Sequence, residues 1–196
     1  MPPLGWANAG IAPYLALPAG PARLICCATR LTPRARLQHQ TQIALEDVAF
    51  LPLSPNSTAT VEACLTWAEE HADDLITWLD TVRGLAQFTM AFTVPTAVPS
   101  AGTWLRNRAA LHHNRAASLD ILKARADALL APLSAQRWHL RDSRNGPALD
   151  ALAPRLQHPA KALPAMEDAG AALKGWSLNI VGPLPAYGFA PESALA

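Results

Sequence analysis

The sequence predicts an α+β fold in two consecutive small domains, with helices packed on antiparallel sheets. Three observations carry that expectation. The candidate elements run strand, strand, helix, strand, boundary, helix, strand, irregular segment, helix, strand, which is not the regular alternation of a doubly wound sheet. Eighteen prolines and ten glycines among 196 residues demand short elements with many stops. Hydrophobic residues make up 51% and charged residues 16%, enough apolar surface for cores and too little charge for a disordered chain.

The elements follow in order. Residues 1–20 read as an irregular or extended lead with Trp6, Ile11, Tyr14 and Leu15 available to pack. Arg23–Leu31, RLICCATRL, is compact and apolar and predicts a strand closed by Pro33. Residues 42–53 end in a second strand, and the polar run after it offers Ser57, Thr58 and Thr60 as N-caps. Thr60–Gly84 predicts a helix, because Val61, Leu65, Ala68, Leu75, Leu79 and Val82 share one stripe and Gly84 stands where a C-terminal glycine belongs. Gln87–Val94, QFTMAFTV, alternates as a strand with one buried face.

Pro95 and Pro99 mark the boundary between an N-terminal domain, 1–97, and a C-terminal domain, 98–196. The second domain opens with a long helix over 101–133, whose apolar face is Leu111, Leu119, Leu122, Ala126, Leu129 and Leu133. Arg137–Leu140 is a short strand, 148–165 is ambiguous, Met166–Lys174 is a short helix, and Trp176–Val181 is the last strand, cut off by Gly182-Pro183. A stiff aromatic tail ends the domain.

Charge and cysteines exclude several function classes. The formal net charge is +1, against a nucleic-acid binder that relies on phosphate contacts. Residues 1–100 carry −3 and residues 101–196 carry +4, so the halves differ in sign. Cys26, Cys27 and Cys64 lack CxxC spacing, and neighbouring cysteines fit disulfide geometry poorly, so buried thiols in a reducing cytosol are expected. Residues 4–22 are apolar, yet no basic residue precedes them and Pro13, Pro18 and Pro21 interrupt them, unlike a signal peptide. No apolar run reaches the length of a membrane span, and a cytoplasmic chain is expected, with no membrane-bilayer partner.

No phosphate-cradling glycine motif, nucleophile elbow or acid/base constellation occurs, so no catalytic residue, cofactor or metal is expected. His112-His113 occupy adjacent helical positions, which point about 100° apart, and cannot converge on one ion without a break in the helix, so a metal is the minority reading there. Glu69, Glu70, Asp73 and Asp74 surround His71 and place like charges at i,i+4, a cluster that reads as a solvated face or as a charged contact surface. Trp104, Trp138 and Trp176 read as core or half-buried residues, whereas Trp67 and Trp78 lie off or beside the main stripe of their helix, as core packing or as candidates for a contact surface. The tail Gly182, Pro183, Pro185, Tyr187 and Phe189 is held stiff by its prolines, and its aromatics either fold back onto the protein or meet a partner.

Gly182–Ala190, GPLPAYGFA, resembles the Gly-Pro-aromatic-Pro-Pro-Tyr-Ser-Phe ending of the gas vesicle protein GvpL/GvpF family. Three further stretches match that family in the same order: LPL at 51–53, DTVRGLAQFTMAF at 80–92 and GTWLRNR at 102–108. Ser54, Pro55 and Asn56 replace the usual Arg-Phe-Gly, and Leu184 and Ala186 replace an aromatic and a proline of the ending. The resemblance implies two domains, each ferredoxin-like or a variant of it. It also implies a non-enzymatic accessory protein in the cytoplasm, associated with gas vesicles. Such a protein binds the hydrophobic major shell protein, with other gas vesicle accessory proteins as further partners, and assists shell-protein incorporation in a chaperone-like way. Two readings from other classes stand beside it. A small ferredoxin-like ligand-binding protein or enzyme would need a pocket with a perturbed group. An RNA-binding module would need basic residues interleaved with strand aromatics, which QFTMAFTV lacks.

Overall fold

The structure, a computed structural model, describes residues 1–46, 48–93, 119–143, 146–172 and 177–191. The expected boundary at Pro95 and Pro99, the stretch 102–108, His112-His113, Leu111, Trp104 and Trp176 lie outside the described residues. The chain divides into two compact units, Met1–Gln87 with Pro183–Ala196, and Phe88–Gly182.

The first unit holds a four-stranded sheet in the order β2-β3-β1-β4, made of β1 (Pro3–Ala7), β2 (Leu15–Ala19), β3 (Ala22–Cys26) and β4 (Phe50–Pro52). β1 runs antiparallel to both β3 and β4, and β2 antiparallel to β3. The supposed irregular lead is therefore an interior strand and its hairpin neighbour. β1 is hard to read because Pro-Leu-Gly-Trp-Ala does not alternate, and it does not alternate because all five residues are buried. Gly5 is required there: with φ at +151°, a Cβ would stand 2.1 Å from the Leu51 carbonyl oxygen of β4.

Between β3 and β4 runs α1 (Pro33–Leu45), capped by Thr32, whose hydroxyl accepts from the Ala35 amide at 3.2 Å. Beyond its Thr-Pro start, this helix has no apolar stripe to read, since its buried positions are Arg36, Gln40, Ile43 and Ala44. Half of its inward face is polar, so hydrophobic periodicity misses it.

The helix expected over Thr60–Gly84 forms as two, α2 (Val61–Glu70) and α3 (Ala72–Val82), broken at His71 with φ −122° and ψ 33°. Of the three candidate caps, Thr60 serves, accepting from Ala63 at 3.1 Å. Ala68, Leu75, Leu79 and Val82 are buried as expected, together with Cys64 and Trp78. Gly84 follows α3 with φ +72° and open space around it, the left-handed end the sequence predicts.

β5 (Leu85–Thr93) leads into the second unit, whose sheet has the order β6-β7-β5-β8 with β6 (Arg137–Ser143), β7 (Gly146–Pro154) and β8 (Ser177–Leu184). Phe88, Met90 and Phe92 are buried, one face of β5 as read from the sequence. A helix over 119–130, α4, buries Leu122, Ala126 and Leu129, and a 3-10 turn at Ala131–Leu133 ends it. α5 (Leu163–Ala172) precedes β8. Of the segment 148–165, ambiguous in sequence, residues 159–162 form a 3-10 turn, 163–165 begin α5, and 148–154 belong to β7. β7 pairs antiparallel with β6 through seven register pairs. Its Ala-Leu-Asp-Ala-Leu composition favours helix locally, and burial on both faces overrides that preference.

Numbered within its own unit, each sheet has the strand order 2-3-1-4, the ferredoxin-like order. The first unit joins its first two strands by the short loop 8–14, where the second has α4 among its described residues. The fold is α+β, as the sequence predicts. Pro18, Pro52 and Pro183 all fall on outermost strands, where proline is tolerated if its missing N–H faces away from the neighbouring strand. Accordingly β8 does not stop at Gly182-Pro183 but continues to Leu184.

Candidate functional site

The tail does not extend freely. Leu184, Pro185 and Ala186 line a small depression with Ala44, Val48, Phe50, Val82 and Leu85 of the first unit. Pro185 and Ala186 are buried. Pro183 is half-buried at the end of β8, and Gly182 lies just before it with φ +158°, close to extended backbone. A 3-10 turn, Tyr187–Phe189, then places both aromatics half-buried.

Polar contacts fix this turn. The Trp78 indole Nε1 donates to the Phe189 carbonyl at 2.6 Å, and the Gly188 amide donates to Gln87 Oε1 at 2.8 Å. The Tyr187 hydroxyl donates to Gln40 Oε1. Gln40 is 0% exposed, and its Nε2 donates to the Leu4 and Leu53 carbonyls, each at 2.7 Å. One amide thus ties β1, the end of β4 and the tail together. Burial pushes the Tyr187 phenol well above its ordinary range, against a smaller opposing effect of the Arg36 charge.

The acidic residues Glu69, Glu70, Asp73 and Asp74 are all exposed and line one shallow depression with His71 and Ala72. The break at His71 changes their electrostatics. Asp73 and Asp74 fall in the first turn of α3, where the helix dipole favours anions, while Glu69 and Glu70 fall at the end of α2, where it does not. Among the described residues, no group of three His, Cys, Asp or Glu side chains is arranged to hold a metal ion.

Two features escaped sequence reasoning. The first is an aromatic column: Trp6, 1% exposed, meets Trp67 at 4.6 Å between ring centroids, and Trp67 stacks on His71 at 4.7 Å with an 11° interplanar angle. The His71 backbone N–H also closes α2 on the Trp67 carbonyl. Trp67 is thus a packing residue with its ring spent on two neighbours, and Trp78 is buried. The second is Asp150, 0% exposed on β7, which accepts from Thr89 Oγ1 at 2.6 Å and Arg141 Nε at 2.9 Å, with His139 Nε2 at 3.5 Å. Trp138, half-buried on β6, donates Nε1 to Asp127 of α4 at 3.0 Å. The tail and the acidic depression are separate features, and neither contains a nucleophile beside a base.

No family model and no curated protein matches the sequence. Among solved structures, the chain is similar to the crystal structure of the gas vesicle protein GvpF from Anabaena sp. PCC7120, with a TM-score of 0.64, 10% identity, and 96% of each chain covered. It is similar also to GvpF from Microcystis aeruginosa, with a TM-score of 0.61, 10% identity, and 96% of this chain and 99% of that chain covered. At that identity the likeness is one of fold.

Proposed function

We propose that this chain, with the fold of the GvpF structures along nearly its whole length, is a non-enzymatic gas vesicle accessory protein. It binds the hydrophobic shell protein and assists its incorporation into the vesicle wall. The observation that carries this reading is the agreement of two routes: sequence segments from 51 to 190 that resemble the GvpL/GvpF family, and a fold shared with GvpF over 96% of the chain. A cytoplasmic location beside gas vesicles goes with that role. Among the described residues no helix is long and apolar enough to cross a membrane.

On this reading the tail shapes the binding surface from within, because Tyr187 and Phe189 are held by Gln40 and Trp78. The exposed acidic residues 69–74 form a second, charged contact surface for a basic segment of a partner.

The test is capture of the purified shell protein by this protein at low and high salt. Salt-resistant capture is the expected result and marks an apolar interface. Capture lost at high salt keeps the role but moves the contact to Glu69, Glu70, Asp73 and Asp74. Absence of capture at both salts overturns the reading.

A further inference from the structure

Arg36 stands one turn into α1 with 8% of its surface exposed. Its NH1 donates to the Ser54 carbonyl at 3.2 Å and to the Ser57 carbonyl at 2.5 Å, both neutral acceptors. Its Nε is buried and makes no hydrogen bond. A guanidinium keeps its charge at any pH a protein experiences, and a buried one ordinarily sits against a carboxylate or phosphate. Arg36 lines an open cleft of about 490 Å³ that also presents Arg30, Asn56, Ser57 and Thr58, and that contains no Asp or Glu among its described lining residues. The N-terminal ends of α1 and α2 border the same cleft through Pro33 and Ala59, next to the caps Thr32 and Thr60. Helix dipoles there add to the positive potential.

We propose that this cleft binds a compact oxyanion, the phosphate or carboxylate group of a ligand, between the guanidinium groups of Arg30 and Arg36. The side chains of Asn56 and Thr58 supply further polar contacts at its rim. Arg36 provides the buried charge, with no acidic partner among the described residues, and Arg30 closes on the anion from the exposed side. The site lies next to the core. This inference does not depend on the shell-protein reading.

The experiment is a thermal melt and a calorimetric titration of the full chain with sodium phosphate and, separately, sodium succinate, each against sodium chloride of equal ionic strength. A saturable rise in Tm above the chloride control is expected. Response to phosphate alone assigns a phosphate-bearing ligand, response to succinate alone a carboxylate, and response to both a site that reads charge and size. Arg30→Gln alters an exposed side chain and is expected to weaken binding about tenfold with the fold intact; Arg36→Lys keeps the charge, loses the fork and is expected to weaken it at least as much. No saturable response to either anion, or an affinity unchanged in Arg30→Gln, overturns the proposal.

Discussion

Gln40 joins three segments of the first unit through one side-chain amide. It makes two donor bonds at 2.7 Å to carbonyls of Leu4 and Leu53 and accepts the Tyr187 hydroxyl. In a dry site an unmet acceptor costs its full desolvation, about 1–3 kcal/mol. Tyr187→Phe is therefore expected to lower stability by about 1–2 kcal/mol, and Gln40→Leu by more, about 2–3 kcal/mol, as read by urea denaturation. The double variant should fall short of the sum, since both changes remove the same bond. Cys64 gives a second residue-scale test. Burial raises its thiol from the ordinary 9.0 to about 11. The folded state then holds a proton that the unfolded chain releases, so stability is full below about pH 9 and declines as pH climbs through 11, by up to about 1.4 kcal/mol per pH unit. Cys64→Ala is expected to flatten that decline between pH 9 and 11 and to leave the slope below pH 9 unchanged. An equally steep alkaline decline in the variant would assign it to other groups.

At the scale of elements, close approach and helix ends matter most. β1 and β4 meet at Gly5, where any side chain would overlap the Leu51 carbonyl and the Phe50 ring. Gly5→Ala is expected to cost about 3 kcal/mol or more, combining left-handed strain with overpacking. A melt within a few degrees of the unchanged protein would mean that β4 can move aside. The break between α2 and α3 has an electrostatic logic too: it turns Asp73 and Asp74 from crowded mid-helix anions into the first turn of a new helix. His71 holds the joint by stacking on Trp67, which in turn packs on Trp6 of β1. The acidic run was legible in the sequence, but the break was not, because apolar spacing continues across it. α1 and β7 were illegible for a related reason: each buries polar groups, Arg36 and Gln40 in one and Asp150 in the other, that a hydrophobic pattern scores as exposed.

For the whole molecule, the last described segment belongs to the first unit although the chain reaches it from the second. Removing residues 183–196 would uncover Phe50, Val82 and Leu85 and take the carbonyl acceptor from Trp78. A chain ending at Gly182 is expected to lose several kcal/mol of first-unit stability and to bind a hydrophobic dye, measured by denaturation and dye fluorescence. Tyr187→Ala with Phe189→Ala separates two roles for the tail. A lower Tm together with weaker shell-protein capture is expected if the aromatics shape the surface from inside. Weaker capture at an unchanged Tm would mean that they touch the partner directly.

The amino-acid order alone determined the α+β class, the apolar stripe of α2 and α3, β5, and the left-handed glycine after α3. These are local or periodic properties, written in neighbours three, four or two residues apart. Only the tertiary structure decided that residues 3–7 form an interior strand, that the tail returns to the first unit, and that Gln40, Arg36 and Asp150 are buried. Each of those depends on which groups meet across tens of residues, Gln40 with Tyr187 or Thr89 with Asp150, and a buried polar side chain becomes intelligible only beside the partner that satisfies it.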